Sequence, residues 1–234
     1  MIAVKSSLKN RILASIYSEF DQWLSQVNVV CAKGCSSCCT RNVTMTSLEG
    51  EYMLSSIRDG NKEKWLSRAL AGVNFVSQPG LTTNEFVVGC LEDNDSESAQ
   101  AAHSSEACPF LVDQGCPIYE ARPLSCRCFV SQKKCGLNQA AVVPDYILTG
   151  STTVMQIIEH LDQKGQWGNM LDILRLHSAN PKDNSEIRER LRNCKPSPGF
   201  LIPPEDLEQV QPLLESIFSV KIDGKRVETF LNGG

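Results

Sequence analysis

The chain is poor in histidine, in long apolar runs and in net charge, and each shortage argues against a class of function. Only three of its 234 residues are histidine, so a His-dominated metal site is not expected. No apolar run approaches the roughly 20 residues that span a membrane. A net charge of −4 gives no broad attraction for nucleic acid or anionic lipid. We therefore expect neither a membrane partner nor a nucleic-acid partner.

Signatures of common enzymes and of export are also missing. The sequence has no phosphate-cradling glycine loop, no H-E-x-x-H motif and no evident Ser-His-Asp pattern. Its first residues are mixed polar and charged, without a continuous apolar segment and a small-residue cleavage site. We expect a cytoplasmic protein, and in a reducing compartment clustered cysteines indicate metal or redox chemistry more often than disulfides.

Cysteine is the residue present in excess, with 11 in the chain, and two blocks hold most of them. In the first block, four thiols occur within nine residues: Cys31, Cys35, Cys38 and Cys39. Cys35 and Cys38 have the C-x2-C spacing with which one turn of backbone presents two sulfurs to one metal. Cys39 follows Cys38 directly, so its side chain is expected to point elsewhere and to serve a second metal or a bridge.

The second block completes the candidate ligand set. Its three stronger candidates are Cys108, Cys116 and Cys126, and Cys128 and Cys135 are weaker ones. The seven stronger candidates of both blocks exceed what one four-thiolate site needs, so two sites, one polynuclear cluster or redox-active thiols all remain open. Thiolate sulfur suits zinc, copper(I) and iron–sulfur clusters. We expect an iron–sulfur cluster, such as a 4Fe–4S cluster, or zinc.

Basic residues accompany both blocks, and Arg122 is the cation that we expect beside the metal. A four-thiolate site carries net negative charge, which nearby cations and amide donors stabilise. Pro123 follows Arg122 and restricts its backbone, so the position of this arginine is well defined. Two further cysteines, Cys90 and Cys194, lie outside the blocks and are interpreted as buried apolar side chains.

Helical periodicity dominates the rest of the chain. Apolar stripes predict helices over residues 5–29, 47–59, 62–75, 184–193 and 205–218, with others from about residue 145 onward. Residues 85–91 are predicted as a strand or irregular core segment, and small hairpins are expected at 110–118 and 220–227. The predicted fold is mainly α with small irregular β-hairpins, a compact helical domain organised around a cysteine-liganded metal site. We expect a metal-binding domain at 1–144 and a helical C-terminal region at 145–234 that packs on it.

The cysteine motifs resemble those of a known family. Three segments carry the resemblance: Gly34-Cys35-x2-Cys38-Cys39, Cys108-Pro-Phe-Leu and Cys116-x-Ile-Tyr-x2-Arg-Pro-x2-Cys126-Arg. Over roughly residues 31–136 the chain is similar to the CxxCxxCC family of zinc- or iron-chelating proteins, also called YkgJ-like cysteine-cluster proteins. The resemblance implies a cysteine cluster that binds zinc or an iron–sulfur centre, and most members have no assigned reaction. This chain departs from the pattern in having three residues, not two, between its first two cysteines.

The main hypothesis is a metal-binding protein with a structural, redox or sensory role, and two alternatives stay open. Flagellin lysine N-methylases are similar in the same cysteine motifs, which implies an S-adenosylmethionine-dependent methylase as one alternative. The other is a zinc-stabilised interaction module without catalysis. The spacing of Cys31, Cys35 and Cys38 also matches the radical S-adenosylmethionine signature, but the motif follows a predicted helix and the alternating strand–helix units of a barrel are missing. The sequence does not decide whether the protein is an enzyme, and it identifies no protein substrate or partner.

Overall fold

A computed structural model describes residues 7–57, 60–73, 77–92, 105–136, 140–178 and 185–233, which form a mainly helical structure with two small antiparallel sheets. The helices are α1 (Leu8–Leu24), α2 (Ser47–Ser55), α3 (Gly60–Ala71), α4 (Thr83–Leu91), α5 (Leu124–Arg127), α6 (Asp145–Leu161), α7 (Met170–Ser178), α8 (Ser185–Arg190), α9 (Leu207–Ser219) and α10 (Val227–Leu231). The strands are β1 (Thr44–Thr46), β2 (Gln166–Asn169), β3 (Arg192–Asn193), β4 (Lys221–Ile222) and β5 (Lys225–Arg226). None of the described helices is long and apolar enough to cross a membrane.

Two clusters of buried apolar side chains fill the interior. The first, which we call the α1 core, joins α1 to α6 and α9 and includes Ile12, Leu13, Ile16, Phe20, Ile147, Ile157 and Leu213. The second, which we call the α7 core, joins β1, α2, α3 and α7 and includes Met45, Met53, Leu66, Phe110, Leu171 and Leu174. Each such side chain contributes about 1.5–3 kcal/mol on burial. The apolar stripes seen in the sequence therefore belong to helices that pack into two separate cores.

A three-stranded sheet in the order β1-β2-β3 ties distant parts of the chain together. Thr44 pairs with Asn169 and Thr46 with Trp167, both antiparallel. The backbone N–H of Met170 donates to the carbonyl of Val43 at 2.8 Å and continues the contact. The expected division at residues 144 and 145 therefore falls between two strands of one sheet. A C-terminal region that packs on the first part and is not an independent domain stays a prediction.

The segment 85–91 is helical, so its prediction as a strand or irregular piece was wrong. Thr82 and Glu85 form a capping box, in which the Thr82 hydroxyl accepts the Glu85 N–H at 3.1 Å and the Glu85 carboxylate accepts the Thr82 N–H at 2.9 Å. These two bonds satisfy backbone donors that a helix start leaves unpaired. They override the strand preference of the Phe-Val-Val run that follows Glu85.

Several boundaries also differ from the prediction. The first helix ends at Leu24 instead of residue 29, α2 ends at Ser55, and α3 already begins at Gly60, where a break was expected. Trp167, in the region predicted to be helical from about residue 145 onward, lies in strand β2. Residues 93–104, which include His103, lie outside the described residues.

Of the two expected hairpins, only the C-terminal one forms as a pair of strands. Lys221 pairs with Arg226 across a turn in which Asp223 and Gly224 have positive φ. The expected hairpin at 110–118 reduces to a single bridge between Val112 and Gly115. The segment then continues as a 3₁₀ turn and the short helix α5.

Candidate metal centre

Both cysteine blocks open into one cavity of about 290 Å³. All seven of the stronger candidate ligands line it: Cys31, Cys35, Cys38, Cys39, Cys108, Cys116 and Cys126. Apolar side chains that include Leu24, Phe110 and Met170 form much of the remaining wall. The structure thus brings together thiols that lie far apart in the sequence, around a concave and largely apolar site.

Tight turns shape the first block. The chain leaves α1 at Leu24 and passes Gly34, whose φ of 97° lies in the region that favours glycine. The N–H of Cys35 then donates to the carbonyl of Ala32, and the N–H of Cys39 to that of Ser36, both at 3.0 Å. Two successive turns therefore bring the four thiols of this block to the cavity wall.

Backbone hydrogen bonds dock the second block onto the first. The N–H of Cys108 donates to the carbonyl of Cys39 at 2.9 Å, next to a bridge between Thr40 and Ala107. The N–H of Arg41 donates to the carbonyl of Glu106 at 3.2 Å, and the two side chains form an ion pair. Cys39 and Cys108 are consequently held side by side by the main chain.

Amide groups point at the sulfurs of the second block. Burial raises the pKa of Cys108 to about 11 and also raises the pKa of Cys116. The backbone N–H of Phe110 donates to the Cys108 sulfur and that of Ile118 to the Cys116 sulfur, and both bonds favour the thiolate. This is the amide-to-sulfur pattern that stabilises bound thiolates in metal centres. It follows the Cys-Pro-x sequence of both cysteines.

Cys126 lies on α5, deepest among these thiols, and Arg122 lies beside it. Burial raises the pKa of Cys126 well above its usual range, and the charges of Cys108 and Cys116 raise it further, whereas the Arg122 guanidinium opposes this. Arg122 stacks 3.8 Å from the ring centroid of Tyr119 and donates from Nη1 to the Tyr119 carbonyl at 2.8 Å. The cation expected beside the thiols is therefore held at the cavity wall.

Arg127 fixes the same loop from inside the protein, and the sequence analysis did not single it out as a structural residue. Its guanidinium donates from Nε to the Arg122 carbonyl at 3.0 Å and from Nη2 to the Glu120 carbonyl at 2.8 Å. It also pairs with Asp21 of α1 and lies 4.3 Å from the ring centroid of Tyr17. Arg127 is the last residue of the motif that begins at Cys116, but only the three-dimensional fold shows what its side chain contacts.

Glu49 supports α5 in a similar way. It is buried, with Oε1 accepting from the Tyr17 hydroxyl at 2.8 Å and from the N–H of Leu124 at 2.9 Å. Its Oε2 accepts the N–H of Thr46 at 2.8 Å in a capping box at the start of α2. Burial raises the pKa of Glu49, and these hydrogen bonds oppose that rise. One carboxylate thus links α1, α2 and the helix that carries Cys126.

The remaining cysteines divide clearly. Cys128 is absent from the cavity wall and faces Ser151 of α6, where burial raises its pKa to about 12. Cys135 lies close enough to Cys31 for its charge to raise the pKa of that thiol. Cys194 is buried as predicted, but Cys90 is exposed, because α4 turns this side of the helix to solvent.

The cysteine sulfurs at the cavity fit a metal group in their chemistry but not a single ion in their placement. As placed, no three Cys, His, Asp or Glu side chains in the described ranges converge on a point that one ion could occupy. A tetrahedral zinc site holds its sulfurs about 3.8 Å apart, because each Zn–S bond is about 2.3 Å long. The thiols surround a volume instead. Soft sulfur donors, amide groups and a nearby arginine fit a polynuclear group, or more than one ion, in chemical type.

Comparisons with known proteins add no relative. No protein-family model, no curated protein and no solved structure matches the chain. The resemblance to the CxxCxxCC family therefore stays a prediction that rests on the cysteine motifs.

Proposed function

We propose that this chain is a metal-binding protein whose two cysteine blocks together hold an iron–sulfur cluster. The observation that carries the proposal is the single cavity lined by seven cysteines from both blocks. Free cysteines that serve only as small apolar residues are usually buried. Cys35 and Cys38 are exposed instead, at the same cavity as the partly buried Cys126. A bound metal group accounts for exposed and partly buried thiols that line one cavity.

Three features favour a cluster over a single zinc ion. The cavity that the thiols line has a volume of about 290 Å³, and no three of the described thiols converge on a point that one ion could occupy. The amide groups of Phe110 and Ile118 donate to cysteine sulfurs, and Arg122 adds positive charge. Hydrogen bonds to sulfur and nearby charge are the means by which proteins tune cluster potentials. A structural, redox or sensory role in the cytoplasm, as a member of the CxxCxxCC family, is part of the proposal.

Anaerobic purification with iron, sulfide and zinc analysis tests the proposal. We expect iron and acid-labile sulfide in comparable amounts, with broad visible absorbance that oxidation abolishes. Cys126→Ser should lower the iron content, whereas Cys128→Ser should leave it unchanged because Cys128 faces away from the cavity. Protein that retains neither iron nor sulfide after anaerobic reconstitution would contradict the cluster.

A zinc-stabilised interaction module is the second candidate, and exposed apolar side chains near the cysteines favour it. Val30 is 45% exposed directly before Cys31, and Phe129 is 46% exposed while lining the cavity. Such side chains suit contact with another protein. Zinc without sulfide in the anaerobic protein would select this candidate. The S-adenosylmethionine-dependent methylase stays a prediction from the motifs alone.

A further inference from the structure

We infer that the cysteines form two adjoining four-thiolate metal centres instead of one. The inner centre consists of Cys39, Cys108, Cys116 and Cys126. The outer centre consists of Cys31, Cys35, Cys38 and Cys135. The inference rests on the proposed metal-binding function and deepens it, because it assigns each thiol to a centre and adds Cys135 to the ligands.

The two groups rest against different parts of the interior. Cys108, Cys116 and Cys126 pack against the α7 core. Cys31 packs against the α1 core, and Cys35 and Cys38 are exposed on the loop that follows it. A single site would draw all of these sulfurs to one wall. The packing instead separates a thiol set backed by one core from a set at the margin of the other.

Main-chain hydrogen bonds make the same division. The Cys108 N–H bond to the Cys39 carbonyl joins the first block to the inner group at Cys39. The N–H of Val30 donates to the Ser131 carbonyl at 2.9 Å, and the Ser131 N–H donates to the Cys31 sulfur. This second contact brings the segment that ends in Cys135 to the outer group. Each group thus takes thiols from both blocks and reaches the number four.

The neighbours of each thiol support the grouping. Cys39 accepts a hydrogen bond from the Cys38 thiol and lies near the other three inner cysteines, Cys108, Cys116 and Cys126. Cys31 lies near the other three outer cysteines. Cys126 also lies near Cys38, so the groups adjoin at the Cys38–Cys39 pair.

Four thiolates are the usual complement of a structural zinc ion or an iron–sulfur cluster. Eight thiols therefore match two centres without remainder. The Arg122 and Arg41 side chains lie near inner thiols and offset part of their negative charge. Cys128, Cys90 and Cys194 fall outside both sets: the first faces Ser151, the second is exposed on α4 and the third is buried away from the cavity.

Counting clusters in matched variants tests the division. The full chain is reconstituted anaerobically with ferrous iron and sulfide, and iron and sulfide are measured per chain. We expect two clusters in the wild type and in Cys128→Ser. Cys35→Ser and Cys39→Ser should each lose about half of the iron, because each removes one ligand set and leaves the other. The double variant should lose nearly all of it.

The possible failures are distinguishable. One cluster per chain, lost equally in Cys35→Ser and Cys39→Ser, would overturn the two-centre inference and leave the proposed function standing. No cluster in any form would overturn both. If Cys39→Ser does not fold, Cys135→Ser and chelator extraction of the wild type replace it. Extraction should then proceed in two phases, and metal from the exposed outer group should leave first. A single phase, together with an unchanged iron content in Cys135→Ser, would contradict the division.

Discussion

The inner and outer thiol groups adjoin at the Cys38–Cys39 pair but differ in how the protein holds them. The inner group is backed by the α7 core, and the buried residues Arg127 and Glu49 fix the loop and the helix that present it. The outer group occupies a loop with two exposed cysteines and a glycine at positive φ. Its side-chain support is the exposed ion pair between Lys33 and Glu120.

This difference suggests a division of roles between the groups. A centre framed by a packed core and a buried hydrogen-bond network is suited to hold its metal and to stabilise the fold. A centre on a solvent-facing loop is suited to exchange electrons, ions or signals with a partner. Four measurements test whether the two thiol groups differ in this way.

Thiol reactivity should show the largest difference. In the metal-free protein, alkylation of Cys35 should be roughly a hundredfold faster than alkylation of Cys126, because Cys35 is exposed whereas Cys126 is only partly exposed at the cavity wall. Its raised pKa slows the reaction further, since the thiolate is the nucleophile. Timed alkylation with peptide mass spectrometry measures both rates. Cys90, which is exposed and lies outside both groups, is the control for an accessible thiol. Equal rates for Cys35 and Cys126 would contradict a difference in accessibility between the two groups.

Replacement of the buried arginine should be next in size. Arg127→Gln leaves the carbonyls of Glu120 and Arg122 without their donors and removes the side chain stacked on Tyr17. We expect the free energy of unfolding to fall by about 3 kcal/mol, mostly from the buried carbonyls, since Asp21 is partly exposed. Denaturant unfolding measures this. Lys33→Ala at the exposed ion pair is the matched control and should leave the unfolding midpoint unchanged.

Glu49→Gln should cost less, about 2 kcal/mol, because the amide keeps the shape but presents an N–H group to backbone or hydroxyl donors. The loss should appear in denaturant unfolding and as weaker retention of inner-group metal, with outer-group metal unaffected. Exposed Glu51→Gln, two residues along the same helix, serves as the control. An unchanged free energy of unfolding for Glu49→Gln would show that this carboxylate does not support the inner group.

Gly34→Ala should have the smallest effect on the fold and act on the outer group. At a φ of 97° a side chain costs about 1–2 kcal/mol, although no atom lies within 4 Å of the added carbon. We expect faster chelator extraction of the outer metal and little change in the inner metal. Gly72→Ala, where an added carbon meets only ordinary contacts and φ is not positive, is the comparison. Equal extraction of both metals would contradict a local effect.

The sequence predicted the membership of the cavity better than it predicted local structure. Thiol spacing identified the seven cysteines that line the cavity, because metal-ligand chemistry depends on residue type. The capping box of Thr46 and Glu49 also depends on residue types at a fixed spacing, which the sequence displays. The matching box at Thr82 was overlooked, so a β-rich run was assigned away from its helix. The role of Arg127 depends on contacts with residues distant in sequence, which periodicity does not reveal.

The arrangement of ligands has a consequence for how the protein matures. Each proposed centre draws on both blocks, and the 96 residues from Cys39 to Cys135 take roughly 5–20 s to synthesise at ordinary rates. The strand that pairs with β1, β2, is synthesised later still. The first four thiols therefore emerge from the ribosome well before their partners exist. If the centres form as proposed, metal insertion would be completed only after the second block has emerged, and reductants would keep the cysteines of the first block from oxidising until then.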